Sequence, residues 1–154
     1  MKKMTWVCST FEAEDKKNEL EAQELLSSIL ESEGGVAVAH DFVSILCFDE
    51  AREAVEAAVV AQWKVQRSQS KSEAKARIGI HIGDLSTALE LVFVTNGNQI
   101  IFTQEIDIAT NGMIDARLLG NFKLSDSEPV RQLWLSTDSR PKIDARPVRL
   151  NEQR

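Results

Sequence analysis

Apolar residues follow two periods along this chain. Ala22, Leu25, Leu26, Ile29 and Leu30 recur at spacings of three and four, which predicts a helix over about 14–33, with Gly34 as its left-handed stop. A second helix is predicted from the capping residue Asp49 to about Gln66, with Ala51, Ala54, Val55, Ala58, Val59 and Gln62 on one face. The period of two predicts strands. "MTWVCST" (4–10) reads as one, and "GVAVAHDFVSILCF" gives a short extended piece and then a strand ending at Phe48. In "KARIGIHIGDL" (75–85), Ala76, Ile78, Ile80 and Ile82 alternate with Arg77, Gly79, His81 and Gly83. Glycine weakens a strand unless something approaches its backbone closely, so this second face asks for a close neighbour. "QIIFT" (99–103) is a further strand, and "ARLLGNFKL" and "VRQLWLS" predict a closing strand pair.

Two stretches read both ways. Residues 86–94, in "LSTALELVFV", fit a short helix, and they fit equally a hairpin with Asn96-Gly97 in its turn. Residues 105–112 predict a polar turn or a short helix. "RSQSKSEAK" (67–75) is a polar linker. From Arg140, "RPKIDARPVRLNEQR" is basic, holds prolines and has no period, which predicts a loose tail. The order is β-α-β-β-α-β plus trailing strands. This is an α+β class with a ferredoxin-like βαββαβ core and an extra C-terminal strand pair. The expected division is a domain over 1–138 and a tail over 139–154. Two helices would cover one sheet face, and the other face would need a partner or a further element.

Composition narrows the function classes. A chain of 154 residues, 43% hydrophobic, is long enough for one domain with a real core. Lys and Arg number 18 against 24 Asp and Glu, a net charge of −6, which argues against a general nucleic-acid or anionic-membrane surface. No apolar run approaches the roughly 20 residues that span a bilayer, and no apolar signal region follows Lys2 and Lys3. A cytoplasmic location is expected. Cys8 and Cys47 sit in apolar runs without CxxC spacing, so they are expected as small core residues, a disulfide between neighbouring strands being the second reading.

Four segments in order carry a resemblance. "RIGIHIGD" (77–84) is close to "RIGIHTGE" of the class III adenylate/guanylate cyclase catalytic domain, and "GNQIIFT" (97–103) resembles its "PGQILVS" strand. "LGNFKLSDSEPVRQLW" (119–134) tracks that family's "LGEVELKGLARPVRLY" without a gap. "LESEGGVAVAHDFVSILCF" before "DEAREAVEAA" is similar to its "GG…GDGFLAVF" and following helix. The resemblance covers roughly residues 4–136 and implies a class III cyclase-like fold.

The resemblance also implies chemistry that this chain departs from. The family holds two divalent metals at a triphosphate through two carboxylates, and a dimer partner brings an Asn and an Arg to the transition state. The first metal Asp falls at Thr10, in "CST" where the family has "FAD". The second falls at Phe42, or at Asp41 if the register shifts by one. The Asn and Arg of the family's "NLAAR" helix fall at Ser86 and Glu90, and its "LKG" reads "LSD". Thr in place of a carboxylate removes a full charge from a site for a hard cation. Glu in place of Arg sets a negative charge where phosphate charge would develop, and losing one such donor costs about 10² to 10³ in rate.

The expectation is therefore a cyclase scaffold without catalysis or cofactor. It would act as a dimerising signalling module, as a homodimer or with another signalling protein. The alternatives are a nucleotide-binding sensor and a divergent active cyclase using Asp41, Asp84 or Glu90. Candidate nucleotide contacts are Asp41, Arg77 and His81, with Asp41 also a weak metal candidate. His81 lacks a Cys or His partner at metal spacing and is otherwise a packed or interface residue. Trp63 and Trp134 are expected to complete a core, with interface anchors as the sharper reading. Gly79 and Gly83 would admit a ligand, a partner backbone or a tightly packed large side chain.

Overall fold

The structure, a computed structural model, describes residues 3–40, 42–68 and 74–150. Seven strands form one sheet: β1 (Thr5–Ala13), β2 (Val36–His40), β3 (Ser44–Phe48), β4 (Ala74–Ile82), β5 (Gln99–Thr103), β6 (Ala116–Lys123) and β7 (Val130–Ser136). Four helices connect them: α1 (Lys16–Ser32), α2 (Ala51–Ser68), α3 (Leu85–Val94) and α4 (Gln104–Ala109). The sheet order is β2-β3-β1-β4-β5-β7-β6. Its first four strands are the ferredoxin-like core, with β1 antiparallel to both β3 and β4. β5 adds parallel to β4, and the antiparallel β6–β7 pair completes the sheet beside β5.

Local rules start and stop the first helix, and the stop is the one that the sequence predicts. Asp15 accepts a hydrogen bond from the Lys17 amide at 2.9 Å, and Gly34 follows the helix at φ +111°. Ala22, Leu26, Ile29 and Leu30 turn inward, and Leu25 is left at the rim. On α2 the inward face is mostly alanine, with Val55, Val59 and Val65, so two helices fit side by side over one sheet face. Val7, Phe11, Leu46, Phe48, Ile78, Ile80, Ile100 and Phe102 meet them there. The next residue along each strand points to the opposite face, as strand geometry requires.

That opposite face is covered from within the chain. Residues 85–94 are a helix and not a hairpin. α3 lays Ala88 and Val92 on Cys8 and Ile45, and Leu91 and Val94 beside Ile101, Leu133 and Leu135. Ile143, Val148 and Leu150 pack against the second group. Residues 140–150, expected as a loose tail, are therefore a strap. The Asp144 amide donates to the Asn98 carbonyl at 3.1 Å and the Arg149 amide to the Val94 carbonyl at 2.9 Å. The side chains of Asn96 and Gln99, both buried, donate to the carbonyls of Pro147 (2.8 Å) and Arg146 (2.7 Å). Buried amide groups need partners, and this segment supplies them.

Both cysteines are free, and Cys8 is fully buried. Burial pushes its thiol up to about 12, so it is an inert core residue. Trp134 packs at the edge of the main core, and its indole donates to Gln132 at 2.9 Å. Among the described residues no helix is long and apolar enough to cross a membrane.

Candidate functional site

The glycine face of β4 has its explanation in α3. A Cβ on Gly79 would stand 3.0 Å from the Val92 amide nitrogen, 3.2 Å from Leu91 and 3.3 Å from the Val92 Cα. The helix backbone itself approaches the strand there, which a side chain would forbid. Gly83, at φ +124°, makes the turn from β4 into α3, and its carbonyl accepts the Trp6 indole at 2.9 Å. The groove that the sequence marked for a ligand, a partner or tight packing holds the chain's own helix.

The predicted site residues lie around that helix. Thr10 pairs with Arg77 across β1 and β4, and its hydroxyl is buried without a hydrogen-bond partner. Arg77 donates to the Phe11 carbonyl at 3.4 Å. A neutral hydroxyl beside a guanidinium is a poor place for a divalent cation, which needs anionic oxygen. Phe42 is 75% exposed, and Asp41 lies outside the described residues. Ser86, Glu90 and Phe93 fall at i, i+4 and i+7 on the outer surface of α3, because Thr87, Ala88, Leu91 and Val92 take the inner one. Asp84 precedes α3 but makes no side-chain capping bond. Among the described residues no group of three or more His, Cys, Asp or Glu lies together as a metal cage would require.

His81 belongs to a polar network that sequence reasoning missed. It is 3% exposed, and its Nδ1 lies 2.8 Å from the Thr103 hydroxyl. Beside it Arg131, from β7, donates to Glu105 at 2.9 Å, to Glu128 at 3.4 Å and to the Thr87 hydroxyl at 3.4 Å. Thr87 in turn donates to Glu128 at 3.0 Å. Two carboxylates do converge at the mouth of β4 and β5, but a guanidinium occupies the place between them. Its five donors in a fixed plane suit two carboxylates at once. The network ties the first turn of α3 to β7. Only the "EPVR" of the closing hairpin hinted at it, since nothing local shows that Arg131 reaches a helix forty-four residues earlier.

Burial lowers the His81 pKa. The charges facing it oppose one another: Glu105, Asp84 and Glu128 favour the cation, and Arg131 disfavours it. The folded imidazole is therefore neutral over a wider pH range than the unfolded one, whose pKa is about 6.5. Below that value the unfolded chain binds more protons, so stability falls as pH drops, and above it the contribution is constant. Thermal unfolding between neutral and mildly acid pH is expected to show this loss, and His81→Gln to flatten that part of the profile.

A second network closes the far end of the same face. Glu12 accepts from the Gly97 amide at 3.1 Å and from Arg146 at 2.8 Å. Burial alone would raise the Glu12 carboxyl, but the Arg146 hydrogen bond and charge and the Gly97 amide outweigh it and hold it below the usual range. With α3 between the two networks, this face of β1 and β4 is covered along its length.

No protein-family model matches this chain, and no curated protein matches it. Solved structures do. An adenylate cyclase from Trypanosoma brucei, described in its monomeric state, superposes at TM-score 0.78 and 12% identity, over 98% of this chain and 94% of that one. The adenylyl cyclase CyaB from P. aeruginosa matches at 0.74 and 16%, over 92% and 97%. The guanylate cyclase domain of RhGC from Catenaria anguillulae, solved with GTP, matches at 0.71 and 14%, over 88% and 96%.

Proposed function

We propose that this chain, which has the fold of adenylate and guanylate cyclase catalytic domains, is a non-catalytic signalling module that works by association. Its partner is a second copy or another signalling protein. The observation that carries this reading is the filled sheet face. α3 sits on Gly79 at backbone contact, and Thr10, where the resemblance implies a metal carboxylate, is a buried hydroxyl beside Arg77. The outer stripe of α3 supports it further, with serine and glutamate where the transition-state amide and guanidinium would be, next to a 43% exposed Phe93. A partner docking over this face would meet that stripe and not an open cleft.

The test is thermal unfolding with ATP, GTP and their cyclic products, with and without Mn²⁺, followed by a cyclase assay. A ligand at 100 times its dissociation constant stabilises a fold by about 2.7 kcal/mol, which is readily measured. The reading expects no metal-dependent shift with either triphosphate and no cyclic product. Thr10→Asp alone should restore neither, because it returns one carboxylate to a site that lacks the rest. Cyclic product from the unaltered chain would make it a divergent cyclase. A shift with a cyclic nucleotide alone would make it a sensor.

A further inference from the structure

Where α2 ends and β4 begins, a cleft of about 470 Å³ opens at the end of the sheet. Among the described residues that line it, four are cations, Arg67, Lys75, Arg140 and Lys142, and none is acidic. The chain as a whole carries six more acidic than basic residues, 24 against 18, so the cleft opposes the sign of the molecule.

The cations of the cleft come from three separate segments, and one side chain ties two of these, α2 and the strap, together. The Gln66 amide accepts from the Lys142 backbone N–H at 2.8 Å and donates to the Lys142 carbonyl at 2.9 Å. It also lies 3.2 Å from the Asn98 side-chain oxygen, to which it donates. The strap is thereby clamped to the end of α2, with Lys142 on the cleft wall.

The four charges are not equally available. Arg140 is met by both oxygens of Glu56 at 2.8 Å and by Asp138 at 2.9 Å, so it forms a neutralised edge. Arg67 lies over the Trp63 ring, 5.2 Å from its centroid, and pairs with no carboxylate among the described residues. Lys75 and Lys142 likewise have no acidic partner among the described residues. Glu12, the cross-strand neighbour of Lys75, is engaged by Arg146 instead. Three cations without an acidic partner among the described residues thus line one cleft beside an aromatic ring. Like charges held together without counter-ions repel one another, and a multiply charged anion relieves that repulsion.

We propose that this cleft binds a small phosphorylated metabolite, with Lys75 and Lys142 on the phosphate oxygens and Arg67, held on Trp63, as the third contact. The volume lies in the range of small-molecule sites. The flexible ammonium groups act as point charges for phosphate, and the planar guanidinium adds a bidentate donor. The site is tested separately from the reading given for the α3 face, because it needs no divalent metal and none of its cations is a residue on which that reading rests.

The probe is inorganic pyrophosphate, titrated calorimetrically into the full chain with a chelator present. One saturable site is expected. Lys75→Gln and Lys142→Gln should each weaken it about tenfold or more, since hydrogen bonds to charged groups contribute about 1.5–3 kcal/mol. Lys142→Arg should retain it. Lys64→Gln, at an exposed α2 position outside the cleft, should leave it unchanged. Neither cleft lysine has an ion-pair partner among the described residues, so the melting temperatures of both variants should match the parent's. No saturable binding at millimolar pyrophosphate overturns the proposal. So does binding that ignores both cleft variants, or that falls as much with Lys64→Gln.

Discussion

Truncation before Arg140 is expected to bring this domain to the edge of unfolding. The strap it removes carries the acceptors for two buried side chains, Asn96 and Gln99. Each amide would lose its strap acceptors, leaving Asn96 only the Gln99 side-chain oxygen at 3.3 Å. A buried polar group stranded in this way costs about 1–3 kcal/mol, so the pair accounts for about 2–6 kcal/mol. Ile143, Val148 and Leu150 would also leave the cluster around Leu91 and Leu135. Whole domains hold about 5–15 kcal/mol of stability, so this loss is a large share of the total. Urea unfolding of the truncated and full chains measures it directly. An unchanged midpoint would mean that the strap does not hold the sheet in solution. A milder variant, Gln99→Met, removes one of the two amides without shortening the chain and should show part of the loss.

Gly79→Val is expected to cost about 3 kcal/mol or more. Its first added carbon would stand 3.0 Å from the Val92 nitrogen and 3.3 Å from the Val92 Cα, against backbone that cannot rotate away. Overpacking of cores typically costs about 1–3 kcal/mol, and a branched side chain against a helix backbone belongs at the upper end. Gly79→Ala should fall lower in the same range. The expected mechanism is displacement of α3, which opens the face over Cys8 and Ile45 and exposes apolar surface. Denaturant midpoints with binding of a hydrophobic dye would report both effects. A valine variant as stable as the parent would mean that α3 does not rest on the strand. The argument from a filled face to an associating, non-catalytic module would then lose its main support.

These two results bear on the same division in the molecule. The α1–α2 side was legible because each of its layers has a single period. Leu26, Leu30, Val55 and Val59 stand one or two turns apart on their helices, and Val7, Ile78 and Ile80 alternate along their strands. The α3 side was not. "LSTALELVFV" is apolar on nearly every side, so a helix and a strand pair fit it equally, and Asn96-Gly97 added a hairpin signal that tertiary packing overrode. Thr10, Phe42, Ser86 and Glu90 could be numbered from resemblance. That α3 lies directly on Gly79, and that Ser86 and Glu90 face outward from it, could not.

By itself, then, the sequence determined the element order, the two inner helices and the ferredoxin-like core. These rest on local periods, caps and short motifs, which are written within one or two turns of chain. The tertiary structure alone decided that the second face is occupied, that residues 140–150 strap it down, that Arg131 bridges Glu105 and Glu128, and that Lys75 and Lys142 share a cleft. Each of these joins residues tens of positions apart through main-chain acceptors or converging charges. Such pairings leave no period in the sequence, because what selects them is the need to satisfy buried groups once the chain has folded.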